Sequence, residues 1–138
     1  MTTYQDFNAN LIQDLRAHGG SASSGPFVGR PLLILTTRGA RSGETRENPL
    51  VYTRDGDDYV VIASKGGAPT HPSWYHNIQA NPDVTLEVGG ERFDARARVA
   101  DGDERDRLYA AQAAMMPAFA EYQTKTSRKI PVVVFKRR

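Results

Sequence analysis

The chain has 138 residues, 39% hydrophobic and 25% charged, which are ordinary globular proportions and enough length for one well-buried core. A formal net charge of +2 and a pI near 9.0 make only a weak overall field, so any anion site must come from local clustering. The absence of cysteine excludes disulfides, thiolate nucleophiles and cysteine-ligated metals.

Residues 1–10 carry no basic residue and no apolar run, and no stretch approaches the ~20 apolar residues of a membrane span. Neither a secretory signal nor a spanning helix is predicted, and the cytosol is the expected location. Phe7, Leu11, Ile12 and Leu15 recur at helical spacing, so residues 6–18 read as an amphipathic helix stopped by Gly19 and Gly20. Residues 21–25 are a Ser/Gly-rich linker that lets this helix pack on the body, move, or rest on the inner face of the cell membrane. Packing as an arm is favoured, because the polar face lacks the Lys/Arg enrichment of an interfacial helix.

From Pro31 onward strand signals dominate, with residues 32–37, 48–53 and 58–63 as three short strands and Asp55-Gly56 as a hairpin turn. Residues 84–88 and 92–99 flank Gly89-Gly90 in the same way. In the later of these, Phe93, Ala95, Ala97 and Val99 alternate with Arg92, Asp94, Arg96 and Arg98, so that strand is half buried. Residues 103–122 form a second helical region, with Leu108, Met115, Phe119 and Tyr122 at helical spacings of seven, four and three residues and a break at Pro117. Residues 130–136 are a Val-rich last strand. The expected fold is mainly β (α+β), a split antiparallel β-barrel of about six strands closed by the C-terminal strand. One domain is expected over residues 1–138, with the N-terminal helix and linker at 1–25.

Two segments suit an anionic ligand. Residues 37–46 place Arg38, Arg41 and Arg46 around a turn with two glycines, and Arg forks match phosphate or carboxylate oxygens. A solvated hairpin is the competing reading. Ala63-Ser64-Lys65-Gly66-Gly67 runs toward a helix starting near Pro72 or Ser73, where paired glycines admit a flat ligand and Lys65 adds a charge. The competing reading is a turn capping a short helix whose Trp74 and Ile78, four apart, face the core. His71 and His76 are five apart, off the usual metal-ligand spacing, and no metal is expected. Ser64 and Ser73 lie in no nucleophile-elbow pattern. A chain so poor in chemistry of its own fits an enzyme whose cofactor carries the reaction.

Residues 36–43, 48–52, 63–69 and 71–77, followed by Asn81-Pro82-Asp83-Val84 and Glu121-Tyr122-Gln123, resemble the deazaflavin-dependent nitroreductase family of actinobacteria, which includes quinone reductases. The likeness covers nearly the whole chain, in order. It implies a split barrel that binds coenzyme F-420, an 8-hydroxy-5-deazaflavin, and passes hydride to a quinone, enone or nitroaromatic. Carried over by position, Arg38, Arg41 and Arg46 hold the tail or phosphate. Ala63, Ser64, Lys65, Gly66 and Gly67 line the phosphate and ring, and Pro49, Trp74 and Asn77 shape the pocket. Met116, Phe119 and Tyr122 form the substrate roof, where nitroimidazole-reducing relatives carry tyrosines, so a flat apolar acceptor is expected. Ser64 or Tyr122 is the expected proton or hydrogen-bond donor. The rival readings are an FMN-binding split-barrel reductase, a non-enzymatic deazaflavin carrier, and a nucleic-acid binder using Arg92, Arg96 and Arg98. The last lacks interleaved aromatics for base stacking.

Overall fold

The computed structural model describes residues 4–138. Helix α1 (Tyr4–Ala17) is followed by strands β1 (Leu32–Arg38), β2 (Thr45–Val51), β3 (Thr53–Asp55) and β4 (Asp58–Ile62). Then come α2 (Ser73–Ala80), β5 (Asp83–Val88), β6 (Glu91–Ala100), α3 (Gly102–Met115), α4 (Ala118–Thr124) and β7 (Val132–Arg137). The strands form one antiparallel sheet in the order β2-β1-β5-β6-β7-β4-β3.

Strands β2 and β3 are the two edges of this order, yet Tyr52 alone joins them. One residue spans at most ~3.6 Å, so the sheet has to curl until its edges meet. The result is the expected split barrel, with its seam at Tyr52, whose N–H donates to the Pro31 carbonyl at 3.1 Å. The run at 48–53, expected as one strand, is divided by that seam, which raises the count from about six strands to seven among the described residues. Strand β7 lies between β6 and β4 and closes the barrel as anticipated.

Both faces of the sheet are buried, which explains why β1 and β7 are continuous apolar runs. One face packs Leu33, Leu35, Val61, Leu86, Val133 and Phe135 against Trp74, Tyr75 and Ile78 of α2. The opposite face packs Leu32, Ile34, Val60, Ile62, Val132 and Val134 under Ile12 and Leu15 of α1, Leu108 of α3 and Phe119 of α4. Strand β6 buries Phe93, Ala95 and Ala97, but Val99 is 42% exposed. There the strand outruns the α2 core and buries Ala100 under the helices instead, which ends the alternation.

Helix α1 is an arm packed on the body. Arg16 places Nε 2.9 Å and Nη2 2.7 Å from the Glu87 carboxylate and also pairs with Glu47. The Arg16 hydrogen bonds hold the Glu87 carboxyl below the usual carboxylate range. Gly20, at φ +94°, ends the helix with its N–H on the Leu15 carbonyl at 2.7 Å. A Cβ there would lie 2.8 Å from Gly89, so the glycines of the β5–β6 turn also receive the arm backbone to backbone. Pro117 divides the later helical region into α3 and α4, which the Tyr109 hydroxyl ties together by donating to the Phe119 carbonyl.

Candidate functional site

Beyond β4 the chain enters an unusual turn. Ser64 is right-handed at φ −79°, ψ −38°, and Lys65, Gly66 and Gly67 then take φ of 48°, 65° and 83°. Among the described residues, Lys65 is the one non-glycine residue with left-handed backbone. Such strain costs ~1–3 kcal/mol and persists where the surroundings enforce it. A right-handed residue followed by a left-handed one turns successive N–H groups toward a single concavity, which suits an anion.

The two glycines differ in their surroundings. A Cβ on Gly67 would lie 2.9 Å from the Tyr122 carbonyl and 3.0 Å from Cβ of Lys125, so this residue is packed against α4. A Cβ on Gly66 would meet nothing within 4 Å, which leaves open backbone for a flat ligand to approach. Ser64 is buried, and Lys65 is exposed with its ammonium 3.3 Å from the Thr70 hydroxyl. The expected phosphate segment is thereby brought against Tyr122, one of the expected substrate residues.

Arg128, which no sequence pattern singles out, holds this turn from the side of the protein body. Its guanidinium donates to the carbonyls of Ser64 at 2.8 Å, Ala68 at 2.9 Å and Ala63 at 3.3 Å, and to Nδ1 of His71 at 3.1 Å. Burial pulls the guanidinium pKa down, so these acceptors compensate for lost water. For His71, burial and then the Arg128 charge lower the pKa, which keeps the ring neutral and Nδ1 able to accept. The segment carrying Arg128 is itself fastened. Gln123 donates to the Arg128 carbonyl at 2.8 Å and accepts from Arg105 at 2.8 Å, while Arg105 also caps the Ile130 carbonyl.

The basic turn is assembled differently. Arg41 sits exposed on the loop between β1 and β2, and Arg46 pairs with the exposed Glu44 at 2.9 Å. Register sets Arg46 opposite Thr37 and Arg38 opposite Thr45. Alternation therefore places Arg46 on the α2 face and Arg38 on the α1 face, so these two arginines leave the hairpin on opposite sides. Asn77 accepts from the Ala40 N–H at 3.0 Å and donates to the buried Thr37 hydroxyl at 3.1 Å, which fastens the base of the turn to α2.

The remaining expected residues separate. Trp74 is 4% exposed within the α2 core, while Pro49 pairs with Ile34 on the opposite face, so the two do not line one pocket. Phe119 is 7% exposed, with its ring edge-on to Tyr122 at 5.3 Å, and belongs to the core. Met116 and Tyr122 are half-buried at the rim of that core. Arg92, Arg96 and Arg98 are each paired, with Glu87, Asp83 and Glu104 respectively. Their row therefore alternates in charge and offers no continuous cationic stripe.

The family model for the F420H(2)-dependent quinone reductases matches residues 10–137. An F420H(2)-dependent quinone reductase of Mycobacterium tuberculosis is 45% identical over 111 residues, covering 78% of this chain and 74% of that protein. A solved F420-H2 dependent reductase is 44% identical at a TM-score of 0.71, covering 78% of this chain and 95% of its own. A second solved chain, described as a domain-swapped dimer, is 36% identical at a TM-score of 0.73, covering 97% of this chain and all of its own. With the match running through the arm, both turns and the closing strand, the chain belongs to the F420H(2)-dependent quinone reductase family.

Proposed function

We propose that this chain is an oxidoreductase that takes hydride from reduced coenzyme F-420 and delivers it to a quinone. The carrying observation is the strained Ser64–Lys65 backbone, left-handed at a non-glycine residue and pinned beside the open face of Gly66. When bound, the deazaflavin supplies the hydride from its ring carbon. The protein's own contribution is placement and electrostatics.

In this reading the N–H groups of the turn and Lys65 take an anionic group of the coenzyme, and Gly66 lets its ring approach the backbone. Arg41 and Arg46 reach for the acidic tail from the hairpin, with Arg38 acting from the other face. Asn77 serves the site indirectly by fixing the turn's base, and Trp74 does so as core beneath it. Met116 and Tyr122 cover the acceptor, Phe119 backs them from the core, and Ser64 or Tyr122 supplies a hydrogen bond to the reduced product. One domain over residues 1–138 carries the whole site.

Titration with oxidised F-420, followed by its fluorescence and run beside FMN, tests the coenzyme. Tight binding of FMN alone would sink the reading. Oxidation of the reduced coenzyme by menadione, absent without protein, separates an enzyme from a carrier, and a bicyclic nitroimidazole in parallel compares the nitroaromatic acceptor. For access to lipid-soluble quinones, contact with a membrane surface falls to Phe7, whose ring lies 6.2 Å from that of Phe27, and to Val28, the residue after Phe27, 38% and 54% exposed. Co-sedimentation with neutral and anionic vesicles, compared with Phe7→Ser/Val28→Ser, checks that contact; equal recovery of both proteins would reject it.

A further inference from the structure

We propose that Arg128 is a positioning residue for the coenzyme, holding the carbonyls of Ala63 and Ser64 so that the following N–H groups are aimed at an anion. The inference rests on the placement of the coenzyme at this turn. A peptide unit is planar and trans, so its carbonyl and its N–H point in opposite directions. Arg128 binds the carbonyl of Ser64 at 2.8 Å and that of Ala63 at 3.3 Å. The N–H groups of Lys65 and Ser64 belong to those same two peptide units and must therefore face away from the guanidinium.

The other hydrogen bonds of the residue fix its plane. Nε donates to the Ala68 carbonyl at 2.9 Å, and Nη1 reaches Nδ1 of His71 at 3.1 Å. All three guanidinium nitrogens are thereby used, and the turn is held at its entry, its middle and its exit. This arrangement explains how Lys65 stays at φ +48° without a glycine's freedom. It also needs a planar fork with several donors. A lysine carries the same charge on one nitrogen and cannot reach acceptors on three sides.

The test compares wild type with Arg128→Gln, Arg128→Lys and Gly66→Val, using oxidised F-420 as probe with thermal unfolding alongside. Amide resonances of Ser64 and Lys65 are followed in a 15N-labelled sample. Arg128→Gln is expected to raise the coenzyme Kd about 30-fold. Menadione KM at saturating reduced coenzyme should stay within about threefold. Ser64 and Lys65 resonances should shift on coenzyme addition in wild type and stay nearly unmoved in the variant. Arg128→Lys should recover little of the lost affinity, and it decides the question if the Gln variant does not fold. Wild-type affinity in either folded Arg128 variant, while Gly66→Val loses the coenzyme, overturns the positioning role alone. Wild-type affinity in Gly66→Val overturns the placement of the coenzyme itself.

Discussion

The loop at residues 39–44 and the turn at Lys65–Gly67 are proposed to meet the same anionic coenzyme, but they are built in opposite ways. The first is a hairpin tip closed by its own backbone, Gly39 N–H to the Glu44 carbonyl at 2.7 Å and Gly43 N–H to the Gly39 carbonyl at 3.0 Å. Its cation Arg41 and the neighbouring Arg46 stand on long exposed side chains, Arg46 tethered in the free chain only to the exposed Glu44, and their ordering is left to ligand binding. The second carries little charge and a backbone strained in advance, held by Arg128 behind it and by α4 beside it. Charge on long exposed side chains gives reach, whereas preorganised amides give geometry. Damage to the first should therefore appear in binding alone, and damage to the second in folding as well.

The sharpest contrast lies between adjacent glycines. Gly67→Val combines left-handed strain with a Cβ 2.9 Å from the Tyr122 carbonyl and is expected to cost about 3 kcal/mol or more in urea unfolding. A midpoint equal to wild type would mean that the turn does not pack on α4 as described. Gly66→Val points into open space and pays only for strain, so a folded protein with turnover lowered more than about 100-fold is expected. Stopped-flow hydride transfer at the wild-type rate would place the ring elsewhere.

The hairpin is predicted to behave in the opposite sense. Arg41→Ala together with Arg46→Ala should raise the coenzyme Kd about 10- to 100-fold and move the melting temperature by no more than ~2 °C. The wild-type affinity should also fall with added salt more steeply than that of the double variant. An unchanged Kd would assign the tail to other residues, whereas an unfolded variant would contradict the exposed, solvated placement of both arginines.

The smallest effect concerns His71. Its pKa is lowered in the folded chain, so the neutral ring's contribution is present above the ordinary histidine pKa and is lost as pH falls through the folded value. Stability lost between pH 7 and 5 should exceed that of His71→Asn by no more than about 1 kcal/mol. Parallel melting profiles for the two proteins would show that the bond to Arg128 contributes nothing measurable.

Much of the fold was legible because it depends on local rules. Helical spacing at Phe7 to Leu15, hairpin turns at Asp55-Gly56 and Gly89-Gly90, and the break at Pro117 all lie where backbone propensity and hydrophobic period place them. The left-handed pairs of glycines were visible as turns. Their second use, as surfaces for close backbone approach at Gly20, Gly67 and Gly89, was not, because it depends on what lies opposite.

By itself the sequence determined the period of each element, the sign of charge near each turn and the absence of thiol chemistry. Tertiary structure alone decided that Tyr52 is a seam, since strand partners are chosen across the whole sheet. It also decided that Arg38 and Arg46 face opposite ways, and that Trp74 and Phe119 are covered. Arg128 is the plainest case. Its sequence neighbours, Ser127 and Lys129, mark an ordinary loop, and its role comes from carbonyls some sixty residues away that only the closing of the barrel brings within hydrogen-bond reach.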